Sequence, residues 1–239
     1  NTREETRLQA AANGPNENQI AASRILKVWT YQIMTDAWGD IPYNSYAGKN
    51  PAFDSGKAEE DIIYPQYAIQ EDIYKDMLNE LKEASLQIDV DQPAFRQGDA
   101  IYNGDASKWQ KLSNSLSLRI ANRVRHKLQE ADVRMKEIIS NPSTYPIFES
   151  NEDNASLAYE TSAPNQAPFY AATILANRND YAVSNVLVDF LKGKRGPFTI
   201  EDPRLAVFAQ PNIDGEYIGQ SYGLDMYTAS LVNPDKVSR

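Results

Sequence analysis

The sequence contains no cysteine. Disulfides, thiolate metal sites and cysteine nucleophiles are therefore excluded together. Histidine occurs once, at position 126, so a histidine zinc site, a Ser-His-Asp triad or a histidine proton shuttle is hard to assemble. Chemistry by paired carboxylates survives this test, and little else does. No run of 18 apolar residues occurs, so no segment reads as a membrane-spanning helix. No signal peptide is visible, since Asn1-Thr2-Arg3-Glu4-Glu5 is polar and charged, so the sequence could begin after processing or be part of something longer. Positive charge is scarce: 24 Lys and Arg stand against 33 Asp and Glu, a net charge of -9. That balance argues against nucleic acid and against docking on an anionic lipid surface.

What is present suits a globular protein. The 239 residues, 41% hydrophobic and 24% charged, allow one large domain or two small ones. From Asn16 to Ala37, the residues Ala22, Ile25, Leu26, Trp29, Ile33 and Ala37 fall on one helical stripe. Ala21, Val28, Tyr31 and Met34 form a second stripe. A helix apolar on two faces is packed on two faces, as in stacked helical pairs. A second helix is expected from about Tyr67 to Ile88, with Ile73, Met77, Leu81, Ala84 and Ile88 inward. Its polar face carries Glu71, Asp72, Lys75, Glu80, Lys82 and Glu83. A third follows Asp105, a good N-cap, and buries Trp109, Leu112, Leu116, Ile120 and Val124. Shorter helices are expected over 131–140 and 184–192, the latter turning Leu187, Phe190 and Leu191 inward. No clean repeat of about 34 residues is found, although degenerate helical pairs fit the pattern.

Between Tyr145 and Tyr181 the periodicity fails, and Pro146, Pro164 and Pro168 mark a long irregular excursion. Long loops in compact proteins are more often functional than incidental. After Asp202-Pro203-Arg204 an extended course is expected, with no closing helix. The reading is mainly α: one domain seen in part over 1–239, with a helical-pair scaffold at about 16–140. An irregular region follows at about 141–182, then a further helix and an extended segment at 183–239.

Two features carry the functional expectations. In "TDAWGDIPYNSY", Thr35 to Tyr46, Gly39 supplies a helix C-cap and Pro42 fixes the exit direction. Asp36 and Asp40 are placed to accept from backbone amides of the turn. The corner is structural, but it would aim Tyr43, Tyr46 and Phe53 outward. Tyrosine is abundant, 14 residues against seven Phe and three Trp, and suits surfaces both apolar and wet. Tyr43, Tyr46, Phe53, Tyr64 and Tyr67 gather in one loop region; Phe169, Tyr170 and Tyr181 gather in another, beside Asn165, Asn177, Arg178 and Asn179. Aromatic faces with amide and guanidinium groups suit a sugar ring, and also a peptide backbone. Plugging of loops onto the core is the competing reading for each ring.

Other groups carry less. Asp89, Asp91, Asp99 and Asp105 around Gly98 and Gly104 loosely resemble an oxygen-rich calcium loop, but not with EF-hand spacing. Calcium is the one cofactor considered, on Asp89, Asp91 and Asp99. Arg119 and Arg123 lie one helical turn apart; an anion or neighbouring carboxylates could engage them. His126 reads as a solvated helix-end residue, and Asn154-Ala155-Ser156 is a bare glycosylation sequon.

Longer phrases resemble a known family. "WTYQIMTDAWGDIPYNSY", "GDAIYNGDASKWQKLSNSLSLRIANRVR", "VSNVLVDFLKGKRGPFTIEDPRL" and "YIGQSYGLD" are similar, in this order, to segments of the SusD/RagB superfamily, particularly its SusD-like branch. The resemblance implies an α-helical fold with four tetratricopeptide-like helical pairs and an irregular ligand-binding portion. It implies a non-catalytic, surface-exposed lipoprotein of the Bacteroidota outer membrane. Such a protein passes a glycan, or in some members an oligopeptide, to a SusC-type TonB-dependent transporter. Two departures stand out. The family's lipidated N-terminal Cys is absent, so the anchor expected from the resemblance lies upstream of Asn1 or has been removed. Members are also about twice this length, which points to a fragment. Scaffold motifs carry over; ligand contacts do not. A glycoside hydrolase needs two carboxylates across a cleft, roughly 5 to 9.5 Å apart, and no motif nominates such a pair. A helical adaptor that binds only protein would lack an exposed aromatic patch.

Overall fold

The computed structural model describes residues 16–56, 62–176, 178 and 181–239. The chain forms two compact units, Asn1–Ala158 and Tyr159–Arg239.

The first unit is helical. Its elements are α1 (Glu17–Trp38), α2 (Gln70–Gln87), α3 (Ala106–Val124) and α4 (Gln129–Ser140). A short antiparallel ribbon pairs β1 (Ile41–Pro42) with β2 (Tyr67–Ala68), placing Ile41 opposite Ala68 and Pro42 opposite Tyr67. Each long helix packs chiefly on the next: α1 on α2, α2 on α3, α3 on α4. The stripes expected for α2 and α3 are buried as read, from Ile73 to Ile88 and from Trp109 to Val124. Removing an interior ring such as Trp109 would cost about 3–5 kcal/mol.

Two expectations are corrected here. The α1 stripe does not reach the helix end: Ala21, Ala22, Ile25 and Val28 are buried, while Ile33, Ala37 and Trp38 lie in solvent. The last turn is instead committed to polar contacts through Thr35 and Asp36. Glu80, expected on the polar face of α2, is buried. Arg24 of α1 reaches across the helix seam to it at 3.0 Å, and a buried carboxylate requires such a partner. Arg24 also donates to Gln87 at 2.9 Å and to Glu83 at 2.6 Å. Burial works against the charge on Arg24, but its bonds to Glu80 and Glu83 outweigh this and hold its pKa above the ordinary value.

The corner after α1 ties three helices. Gly39 adopts φ 75°, and its N–H donates to Thr35 O over 2.8 Å. Asp40 accepts from the Gln70 backbone N–H at 2.8 Å, so α2 receives a side-chain cap from outside its own sequence neighbourhood. Asp36 accepts from the hydroxyl of Tyr74 on α2 and, at 3.0 Å, from Arg123 Nε on α3. Asp40 thus caps α2 and Asp36 joins helices, in place of the amides of their own turn that the sequence suggests for both.

A second turn seats α3. Asp99 accepts from Ile101 N (2.9 Å), Tyr102 N (3.0 Å), Gly104 N (3.0 Å) and Trp109 Nε1 (2.8 Å). Burial disfavours its charge, yet these donors prevail and hold its carboxyl below the usual range. Asp105 then caps α3 by accepting from Lys108 N at 3.2 Å.

In the second unit regular structure is sparse. A helical turn, Pro168–Tyr170, runs into a wider π turn, Ala171–Leu175. Short helices α5 (Asn185–Leu191), α6 (Leu205–Phe208) and α7 (Met226–Ser230) follow. The last two correct the extended course expected after Arg204. Val188 and Leu191 of α5 meet Leu205 and Ala209 in a small core. Leu187 and Phe190, expected inward, are half-exposed, because seven residues bury only one i, i+3 edge. Backbone bonds stitch the extended strand-like end to this core: Val183 N donates to Ser238 O at 3.0 Å, and Ser238 N to Ile218 O at 2.7 Å.

Candidate functional site

The expected aromatic clusters meet different fates. Tyr43 and Phe53, expected to face outward, are core residues. Tyr43 packs edge-on between Tyr31 (centroids 4.6 Å) and Phe53 (4.9 Å), and its hydroxyl donates to Asp76 Oδ2 at 2.8 Å. Burial pushes that hydroxyl far above its ordinary pKa, and the adjacent Asp76 adds to the shift. The physical reason for the correction is the ribbon: Ile41 is buried, so its i+2 neighbour Tyr43 follows it inward. Tyr46 is half-buried, with the Arg24 guanidinium 4.3 Å from its ring centroid, so one face is already stacked. Tyr64 and Tyr67 are exposed.

The second cluster converges. A groove of about 650 Å³ in the second unit is lined by Phe169, Thr173, Ile174, Arg178 and Tyr181 on one side of the sequence, and by Val207, Phe208, Gln210 and Arg239 on the other. Phe169 and Tyr181 stand 5.2 Å apart with their planes at 53°. The Arg178 guanidinium lies 5.1 Å from the Tyr181 ring centroid. Phe169 remains 67% exposed and Tyr181 38%, so both rings offer area to a ligand. Pro168 at the first helical position starts the turn that presents Phe169. Tyr170 is exposed beside the groove without lining it. Asn165 is exposed, and its backbone carbonyl accepts from Glu160 N at 2.8 Å, closing a loop. Asn177 and Asn179 lie outside the described residues.

Val207, Phe208, Gln210 and Arg239 were not legible as site residues. They come from a four-residue helix and an extended tail, neither long enough to show periodicity.

The calcium expectation finds a different use for its residues. Asp99 is occupied by four protein donors, and Asp89 accepts from Asp91 N at 3.0 Å. Among the described residues, no group of three or more His, Asp or Glu is placed to hold a metal ion. Arg123 pairs with the Asp36 carboxylate, in line with the carboxylate reading, whereas Arg119 donates to the side-chain amide oxygen of Gln32 at 2.8 Å. His126 is exposed, as expected.

A family model described as "Starch-binding associating with outer membrane" matches residues 1–238. The chain belongs to the SusD-like family. Its fold agrees with solved SusD homologs at low identity. One from Parabacteroides distasonis aligns with a TM-score of 0.71 at 23% identity, covering 97% of this chain and 48% of that one. Another, from Bacteroides fragilis, gives 0.68 at 21%, covering 93% and 46%. A chitin-binding protein gives 0.67 at 27% identity, covering 96% and 47%. This SusD-like chain therefore spans about half the length of those structures. No curated protein sequence matches it. Among the described residues, no helix is long and apolar enough to cross a membrane. Two of the SusD-like signature phrases fall on the corner at Gly39 and the turn at Asp99, both scaffold; the other two lie in the second unit, where Val183, the first residue of one of them, lines the groove.

Proposed function

We propose that this chain is part of a non-catalytic, surface nutrient-binding protein. It captures an oligosaccharide in the Phe169–Tyr181 groove and delivers it to a SusC-type TonB-dependent transporter in the outer membrane. The observation that carries the reading is the convergence of two partly open rings and a guanidinium in one hollow. Sugar C–H faces pack on rings while hydroxyls take directed hydrogen bonds, and Arg178, Thr173 and Gln210 offer such partners. Membership of a family described as starch-binding and outer-membrane associating supports the cargo class and the location.

An oligopeptide is the second reading. The rings are tilted rather than coplanar, and Ile174, Val207 and Phe208 form an apolar rim that suits amino-acid side chains. Titration calorimetry of the full-length protein with oligosaccharide and oligopeptide panels separates the two. On the oligosaccharide reading, Phe169→Ala and Tyr181→Ala each weaken sugar binding by roughly tenfold, as loss of one stacked ring implies. Tyr67→Ala, an exposed ring outside the groove, leaves it unchanged. Binding that survives both groove substitutions sinks this site. Purification from the native outer membrane in mild detergent tests the partner: a β-barrel transporter should come down in stoichiometric amount.

A further inference from the structure

A second hollow, of about 400 Å³, lies wholly within the first unit, where α1 meets α3. The buried Leu112 and Leu116 of α3 form its floor, with the half-buried rings of Trp29 and Phe148 beside them. Exposed Asn154 and Ser156, the two ends of the glycosylation sequon, stand on its rim. An apolar hollow of this size with a few polar groups is the usual make-up of a small-ligand site. It shares no residue with the groove of the second unit.

The irregular wall of this hollow is strapped to α3 and its leading turn. Ser115 Oγ accepts from Phe148 N at 2.9 Å, Asn114 Nδ2 donates to Pro146 O at 2.9 Å, and the Tyr102 hydroxyl donates to Asp153 O at 2.8 Å. Asp153 accepts in turn from Glu149 N at 2.8 Å and from Lys111 Nζ at 3.2 Å. Just beyond this strap, the side chains of Asn154 and Ser156 have no hydrogen-bond partner among the described residues. The indole N–H of Trp29 has none there either. A fixed backbone that carries unengaged polar groups is preorganised, so little ordering opposes a ligand.

The lining also selects a chemistry. No aspartate or glutamate belongs to it, and its one charged member, Arg119, already donates to Gln32 Oε1 at 2.8 Å. A peptide strand would need an open backbone edge. Here the N–H groups of Phe148, Glu149, Asp153 and Asn154 are already bonded within the chain. Ring surface beside a neutral amide, a hydroxyl and an indole N–H instead suits a sugar ring.

Resting on the oligosaccharide reading of the cargo, though not on the groove, we propose that this hollow is a second saccharide site, seating one neutral pyranose residue. A single sugar unit has about a dozen non-hydrogen atoms, which at ordinary ligand efficiency corresponds to a dissociation constant of about 1 mM. Binding so weak escapes the calorimetry that reads the groove, and it needs a local reporter.

That reporter is Trp29. The full-length protein is labelled with heavy nitrogen at tryptophan, and the Trp29 indole resonance is the one missing from the Trp29→Phe variant. The probes are maltotriose, cellotriose and the trimer of N-acetylglucosamine, beside trialanine and inorganic phosphate, each raised to about ten times the expected dissociation constant. At least one trisaccharide should move the Trp29 signal, with saturation at about 1 mM. The response should fall severalfold in the Asn154→Ala, Ser156→Ala double variant, whose two side chains are exposed, and persist in the Phe169→Ala, Tyr181→Ala double variant. A signal that no trisaccharide moves, while calorimetry shows sugar bound, overturns the second site and leaves the oligosaccharide reading intact. A response lost in the groove variant, or undiminished without Asn154 and Ser156, overturns it equally. Movement with phosphate or trialanine but with no trisaccharide overturns the neutral-sugar assignment. Absence of sugar binding both by calorimetry and at Trp29 overturns the oligosaccharide reading, and this proposal with it.

Discussion

The indole N–H of Trp109 donates to Asp99 Oδ2 over 2.8 Å, which fastens the turn before α3 to the buried indole of that helix. The same carboxylate accepts three backbone amides. Asp99→Ala strands these donors, and a hydrogen bond to a charged group contributes about 1.5–3 kcal/mol net of exchange with water, though such contributions do not add in full. A net loss of about 2–4 kcal/mol in urea unfolding is expected; an unchanged midpoint would show that the turn is held by something else.

Two glycines of that turn separate backbone strain from collision. Gly98 and Gly104 both have positive φ, 82° and 88°, but a Cβ on Gly98 meets nothing within 4 Å, while one on Gly104 lies 2.3 Å from Phe95 O. Gly98→Ala should cost about 1 kcal/mol through its left-handed backbone. Gly104→Ala should cost clearly more, because the carbonyl it meets belongs to the main chain. Equal unfolding midpoints for the two variants would contradict this.

Acid sensitivity is expected at Glu137. Burial pushes its carboxyl up, but donation from Lys82, Arg134 and Tyr145 outweighs this and lowers it to about 2, from an ordinary 4.5. A depressed carboxylate adds stability that is complete above its unfolded pKa and is lost as pH falls through the folded one. Stability should therefore decline between about pH 4.5 and pH 2. Glu137→Gln should flatten that decline when unfolding is followed across the range.

Tyr43 and Phe169 should respond in opposite ways. Tyr43→Ala empties a fully buried site and is expected to destabilise by about 3–5 kcal/mol. Phe169→Ala removes an exposed ring and should leave stability within about 0.5 kcal/mol while weakening ligand. Thermal melts alongside calorimetry read both effects on the same samples.

Legibility followed periodicity. The helices from Asn16 to Ser140 were readable because their apolar stripes run for several turns, and the registers at Ile73–Ile88 and Trp109–Val124 hold residue by residue. Glu80 was misread because helical spacing locates a face but does not reveal that Arg24 of another helix waits there. Tyr43 was misread because a two-residue ribbon sets its direction, and two residues leave no pattern. In the groove, Phe169, Arg178 and Tyr181 were legible by composition alone, being clustered in a loop. Their counterparts Phe208 and Arg239 are remote in sequence and join them only through the backbone bonds that stitch the second unit.

The order in which the long helices touch also distributes vulnerability. Within the first unit, α2 and α3 are each flanked by two long neighbours, while α1 and α4 chiefly have one. Destabilising α2 or α3 therefore loosens two seams, whereas destabilising α4 loosens chiefly one. Tolerance to mutation should climb from the middle of this row toward its ends, so that a saturation scan would trace the row's connectivity.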